Sequence, residues 1–244
     1  MPNVIVTGGS RGLGLGIAKA LCAAGHDVIT IARRQSDALG EAMSAPPVHG
    51  SGALHFVPFD LGCIGELPRL VKHIRATYGP PFGLVNNAGI GTSGILTTMR
   101  DADIETLVRL NTVSPLIMTK YVVRAMMAGQ GGRIVNISSI VSTTGFTALS
   151  VYSATKAALT GFTRSLAREL GPLGVTVNAV APGFIDTEMT DVMGEQQREK
   201  IMRRSALRRM AGVDDVASAV QFLLGDGAKN ITGTTITVDA GSTA

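Results

Sequence analysis

Tyr152 and Lys156 stand four residues apart, and Ser139 precedes the tyrosine by thirteen. On a helix, positions i and i+4 share a face, so a phenol and an ammonium so spaced can enter one cleft. The pair opens VYSATKAALTGFTRSLARELG (Val151 to Gly171), a helix-like run whose Ser153, Ala154, Thr155, Ala157 and Ala158 permit close approach. A free phenol titrates near ~10, and moving it to roughly 7 takes about 4 kcal/mol of phenolate stabilisation. One positive charge at about 4 Å supplies interaction of that order at an effective dielectric of 20. Lys156 is therefore expected to be a sufficient cause, with Tyr152 as a proton donor and acceptor and Ser139 as a hydroxyl aimed at a substrate oxygen. Helices also produce this spacing by chance, and a tyrosine is more often a packing residue, although this chain has only three. Ser138 is the rival to Ser139.

A second constellation lies near the start. VIVTGGSRGLGLG (Val4 to Gly16) puts a short apolar run before a glycine-dense turn and a helical pattern. Gly8, Gly12 and Gly14 form Gly-x-x-x-Gly-x-Gly rather than G-x-G-x-x-G. Such a turn lets backbone approach a pyrophosphate, whose charge then sits against free N–H groups at the helix start. An ordinary strand–turn–helix corner is the plainer reading of that segment alone.

Both constellations need a frame, and the rest of the chain predicts one. Short apolar runs mark strands at Val4–Thr7, Asp27–Ile31, Ala53–Pro58, Gly83–Asn86, Arg133–Ser138, Thr176–Ala179 and Thr235–Val238. Helical patterns cover Gly12–Ala24, Glu66–Tyr78, Asp101–Ala128, Val151–Leu170, Glu195–Ser205 and Val213–Leu224. Strand–helix alternation with right-handed crossovers gives an α/β fold, a parallel sheet covered on both faces. Ala45–Gly52 and Gly79–Gly83 read as loops between elements. In such a sheet a ligand lies beyond the carboxyl ends of the strands. The Gly8 turn, Arg33, Asp60, Asn87, Ser139 and Pro182 all follow predicted strands.

These blocks together resemble the compact short-chain dehydrogenases/reductases. The resemblance spans essentially the whole chain and rests on Thr7-Gly-Gly-Ser-Arg-Gly-Leu-Gly14, Asp60, Asn86-Asn-Ala-Gly89, Asn111, Ser139, Tyr152 with Lys156, and Pro182-Gly183 with Thr187. It implies a Rossmann-type, doubly wound sheet of seven strands in the order 3-2-1-4-5-6-7, in one domain over residues 1–244 with a substrate lid near 186–210. It implies a dinucleotide on Gly8, Ser10, Arg11, Gly12, Leu13 and Gly14, its adenine by Asp60 and Leu61, its ribose by Asn87, Ala88 and Gly89. Around the nicotinamide it sets Tyr152, Lys156, Pro182, Gly183, Ile185 and Thr187. Asn111, in LVRLNTVSP, would place a water in a proton relay toward the lysine. A helix kink is an equal alternative there, asparagine being a poor helix-interior residue. Asn87 reads equally as a tie between strand ends, and Pro182 as a turn-maker.

At the end of the second strand, where NAD enzymes commonly carry an acid, ITIARR offers Arg33 and Arg34 instead. With Arg11 on the other side, guanidiniums can converge on a 2′-phosphate. NADP(H) is the expected cofactor, unless these arginines are merely solvated. Within the family, RAMMAGQGGRIVNISS, TVNAVAPGFIDTEMT and ITGTTITVDAG are most similar to 3-oxoacyl-[acyl-carrier-protein] reductases. The resemblance thus implies reduction of a ketone, a 3-oxoacyl thioester first, carried by acyl carrier protein or coenzyme A. Another secondary alcohol, sugar or steroid is the alternative within enzymes, and a non-catalytic cofactor-binding regulator the alternative outside them. Two departures bear on this. Gln130 and Leu173 stand where those reductases tend to carry basic residues, and Leu149 replaces a commonly polar residue near Phe146, predicting a more apolar pocket. Arg198, Lys200, Arg203, Arg204, Arg208 and Arg209, against Glu199, form either a basic lid or a solvated helix face.

Composition narrows the remaining classes. The chain has 244 residues, 45% of them apolar, which suits one folded α/β domain. Its net charge of +4 is dispersed and aromatics are only 4%, so nucleic acid is not expected. No apolar run reaches membrane-spanning length, and the first strand begins too early for a signal peptide. Cys22 and Cys63 read as reduced and unpaired, and His26, His49, His55 and His73 show no ligand spacing, so no metal is expected. The expected setting is cytoplasmic. The resemblance implies a homotetramer built on the two long helices and the last strand.

Overall fold

The computed structural model describes residues 2–46, 49–91, 94–127, 131–185 and 194–244. Seven strands, β1 (Asn3–Thr7), β2 (Asp27–Ala32), β3 (Leu54–Pro58), β4 (Pro81–Asn86), β5 (Gly132–Ile137), β6 (Val175–Pro182) and β7 (Thr235–Val238), form one sheet in the order β3-β2-β1-β4-β5-β6-β7. Every pairing is parallel. The expected Rossmann-type order is therefore the observed one. Its central strands are runs of Val, Ile and Leu because both faces are covered.

Helices α1 (Gly12–Ala23) and α8 (Val213–Leu224) cover one face. There Ile17, Leu21, Val216 and Val220 pack on Val4, Val6, Val85 and Val135. The other face carries α3 (Leu67–Tyr78), α5 (Ser114–Met126) and α6 (Ser150–Leu170), with Leu70, Met118, Val122 and Leu166 against Ile5, Leu84 and Ile134. Because side chains alternate across a strand, successive apolar residues of β1 and β4 feed the two cores in turn.

The elements depart from the sequence reading at three places. The pattern read as one helix over Asp101–Ala128 is α4 (Asp101–Val108), a π-helical turn over Arg109–Val113, and α5. Pro115 lies at the start of α5, where its missing N–H and ring break the α-helical ladder. A further helix, α2 (Asp37–Ser44), follows β2 and is capped by Ser36, whose hydroxyl accepts the N–H of Leu39 at 3.1 Å. Three of the five residues of the Gly79–Gly83 loop are strand, since β4 begins at Pro81 against Asn3 of β1. Helix α7 (Glu195–Arg204) completes the set.

Candidate active site

At the carboxyl edge of β1, Gly8 takes φ +67° and donates its N–H to Ile31 O at 2.7 Å. Gly14, in the first turn of α1, lies so close to this turn that a Cβ there would stand 2.2 Å from Gly8 O and 2.5 Å from Asn87 Nδ2. Gly12 is the opposite case, with φ +52° and nothing within 4 Å of a would-be Cβ. The turn is thus packed tightly behind and open in front. The N-terminus of α1 has no side-chain cap and no acid in its first turn. A bare helix start with open backbone fits an anionic phosphate group.

The neighbouring strand ends are tied to this turn. Thr7 Oγ1 accepts the N–H groups of Asn87 and Ala88, each at 3.0 Å, and Asn87 Nδ2 donates to Thr7 O at 2.9 Å. Asn87 therefore does join strand ends, the plainer of its two readings. Ser36 Oγ donates to Ser10 O, which draws the loop after β2 against the glycine turn. Arg33, Arg34 and Arg11 are all solvent-exposed there. Asp60 is exposed after β3 with Oδ1 on the Gly62 N–H at 2.9 Å, and Leu61 is buried beside it.

The second constellation assembles on β5 and α6. Ser139, 9% exposed, follows β5, and its hydroxyl hydrogen-bonds the phenol of Tyr152 in the first turn of α6. Lys156, 5% exposed, sets its ammonium 5.6 Å from the centre of the Tyr152 ring and donates to Ile137 O at 2.8 Å. Ser138 turns away, its hydroxyl on Lys156 O at 3.1 Å. Burial lowers the Lys156 pKa from 10.5 to about 8. Burial also raises the Tyr152 phenol above its ordinary value, partly offset by the Ser139 hydrogen bond. In the protein alone, therefore, burial outweighs the acidification expected of Lys156 aided by the cationic ring of the oxidised cofactor.

Asn111 sits in the π turn, 1% exposed. Its Oδ1 accepts Ile90 N at 2.9 Å, while Nδ2 donates to Ile90 O at 2.8 Å and to Thr155 Oγ1 at 3.3 Å. One extra residue in the turn aims this amide at the loop after β4, a common use of π-bulges. Pro182 ends β6, Gly183 donates to Val238 O at 2.9 Å, and buried Ile185 bridges to Ala211. Phe146 meets Phe184 edge-on, ring centres 5.6 Å apart, and Leu149 ends the same loop half-buried. Thr187 and Gln130 lie outside the described residues, as does the 186–193 part of the expected lid. Leu173 is exposed.

Within the described part of that lid segment, the basic run is partly spent internally. Arg203 pairs with Glu199 at 3.0 Å, and Arg208 reaches back to Arg203 O. Cys22 and Cys63 are unpaired. Among the described residues no cluster of His, Cys, Asp or Glu could hold a metal, and no helix is long and apolar enough to cross a membrane.

Several participants had no signal of their own in the sequence. Thr155 and the Ile137 carbonyl act only through distant partners. Asn86 and Asn136 had one, each being an amide in an otherwise apolar strand. They face each other across β4 and β5, Asn86 Nδ2 donating to Asn136 Oδ1 at 2.8 Å and to Thr119 Oγ1 at 2.9 Å.

A parallel sheet in this order, a glycine turn under α1 and a Ser–Tyr–Lys cluster at its carboxyl edge define a dinucleotide-dependent oxidoreductase. The short chain dehydrogenase family model matches residues 2–198, and the chain belongs to that family. The 3-oxoacyl-[acyl-carrier-protein] reductase FabG of Pseudomonas aeruginosa is 40% identical over 239 residues, covering 97% of this chain and 95% of that protein. FabG of Escherichia coli is 38% identical over the same share of each. Among solved structures, a short chain dehydrogenase from Burkholderia cenocepacia in complex with NADP superposes with a TM-score of 0.91 at 34% identity, over 100% of this chain and 98% of that one. A short-chain dehydrogenase/reductase from Serratia marcescens gives 0.92 at 32% with the same coverage.

Proposed function

We propose that this oxidoreductase is an NADPH-dependent carbonyl reductase whose substrate is a 3-oxoacyl thioester on acyl carrier protein or coenzyme A. The observation that carries the reading is the cluster in which Ser139 bonds the Tyr152 phenol and the Lys156 ammonium lies beneath the ring. Relatives named as 3-oxoacyl-[acyl-carrier-protein] reductases over nearly the whole chain support the substrate.

The cofactor fits the residues present. Gly8, Ser10, Gly12, Leu13 and Gly14 would hold its pyrophosphate, Asp60 and Leu61 its adenine, and Ala88 and Gly89 its ribose. Arg33 and Arg34, with Arg11 across the Ser36–Ser10 tie, suit a 2′-phosphate, since arginines and not an acid directly follow β2. When bound, NADPH supplies the hydride that reduces the carbonyl carbon. Tyr152 then gives its phenolic proton to the carbonyl oxygen, and Ser139 donates a hydrogen bond to the charge growing on that oxygen. Lys156 steadies the phenolate left behind. The sum is ketone, NADPH and one proton to alcohol and NADP⁺. A Cβ at Gly89 would stand 3.2 Å from Asn111 Oδ1 and 3.6 Å from Lys156 Nζ, so glycine there keeps a gap between the two groups clear. That gap suits a water carrying protons from Lys156, with Asn111 as its anchor.

The chain acts as one domain with the 186–210 segment over the substrate, and as a homotetramer in the cytoplasm. The small outer residues of α6, Ala154, Ala157, Ala158 and Gly161, are exposed and favour helix-to-helix contact. The test is NADPH oxidation with 3-oxoacyl thioesters of acyl carrier protein and of coenzyme A, beside free ketones. Faster turnover of the thioesters supports the assignment; turnover of free sugars or steroids alone rejects it.

A further inference from the structure

We propose that Phe146, closed against Phe184, forms an apolar clamp that selects ketones with an extended alkyl or aryl substituent, and that Phe146 is the specificity-determining residue. This rests on the reading of Ser139 and Tyr152 as the ketone-binding pair. Phe146 opens a tight turn in which Leu149 N donates to Phe146 O at 3.3 Å. Ala148 occupies the third position of that turn at φ +65°, where glycine is the usual residue. A side chain held in that left-handed conformation costs roughly 1 kcal/mol, and such strain persists where the surroundings impose it. Here Gly94 imposes it, donating its N–H to Ala148 O at 2.9 Å. The turn runs straight into α6, which begins at Ser150 with Tyr152 in its first turn. The position of Phe146 is therefore coupled to that of the phenol.

The chemistry of the loop disfavours a charged ligand, although it also carries the exposed Thr147. Residues 143–149 carry no charge. The hydroxyls of Thr143 and Thr144 are both committed to Ile140 O, at 3.2 and 2.8 Å. What the loop presents is the partly exposed ring of Phe146, edge-on to Phe184 from the segment just after β6, with Leu149 three residues on. Ile95 and Leu96 follow the Gly94 anchor and are 61% and 54% exposed, extending the apolar surface outward. A carboxylate would find no cation in the loop and sugar hydroxyls only the Thr147 side chain, whereas methylene groups would leave water.

The test measures kcat/KM for 3-oxobutanoyl, 3-oxohexanoyl and 3-oxooctanoyl thioesters of N-acetylcysteamine, with 2-butanone and 2-octanone in parallel. The wild type should gain about fourfold per methylene, the equivalent of about 0.8 kcal/mol. Phe146→Ala should cut the octanoyl-to-butanoyl ratio by roughly tenfold, and Phe146→Leu should restore part of it. An equal fall for every chain length, or a wild type indifferent to length, overturns the clamp. If no thioester reacts while the free ketones still show the length preference, the thioester assignment fails and the clamp stands. If no ketone of either series reacts, both fail.

Discussion

The ammonium of Lys156 is bonded to the main-chain carbonyl of Ile137 at 2.8 Å, inside the junction of β5 and α6. A lysine so buried stabilises chemistry at the expense of the fold, because its charged form has lost its water.

Replacing it should therefore separate stability from activity. The folded pKa of about 8 lies below the ordinary 10.5, so the unfolded chain holds this proton more tightly. The penalty is complete below pH 8, on the order of 3 kcal/mol, and disappears as pH rises toward the unfolded value. Lys156→Met forfeits the bond to Ile137 O but removes this penalty, for a net gain of about 1–2 kcal/mol at neutral pH. Urea midpoints followed from pH 7 to 10 should rise for the wild type and stay level for the variant, while NADPH oxidation by the variant collapses.

Tyr152→Phe removes a proton donor and almost no volume. Turnover should fall by at least ~10³-fold, in keeping with loss of a general acid, with NADPH affinity by fluorescence within about threefold of wild type. Substantial residual reduction would move the proton transfer to another group.

The glycine turn should divide into a structural and a binding half. Gly14→Ala puts a methyl against Gly8 O and Asn87, contacts too short to relax without moving backbone. It should destabilise the fold by about 1–3 kcal/mol. Gly12→Ala meets open space but holds an alanine at φ +52°, a cost of roughly 1 kcal/mol, so thermal unfolding should fall slightly while NADPH binding weakens. Calorimetry alongside cofactor titration separates the two.

Charge on the loop after β2 should decide which cofactor is used. A hydrogen bond to a charged phosphate contributes about 1.5–3 kcal/mol, so Arg33→Ala with Arg34→Ala should lower the NADPH-to-NADH ratio of kcat/KM by roughly tenfold to hundredfold. The effect should shrink in high salt. An unchanged ratio would leave both arginines as solvated charges.

Much of this site was legible from residue order. Strand ends came within a few residues because each buried strand is a short apolar run, and the Ser–Tyr–Lys spacing projects from one strand end and one helix turn. The π turn at Arg109–Val113 was legible only as the kink alternative at Asn111, since the flanking helical stretches are too short to show the change of face that one added residue makes. Helix α2 was missed because its eight residues bury only Leu39. The burial of Tyr152 was not legible for a different reason: a charge pair can be read from spacing, whereas desolvation depends on everything packed around it.

The order of residues alone determined the alternation of strands and helices, the glycine turn and the family to which the chain belongs, because those depend on neighbours along the chain. Tertiary packing decided the rest: the depressed Lys156 ammonium, the Asn111 amide on Ile90, the Ala148 turn pinned by Gly94 and the Phe146–Phe184 contact. Each joins groups brought together only when the sheet and its helices exclude water between them, and no local pattern encodes how much water is left.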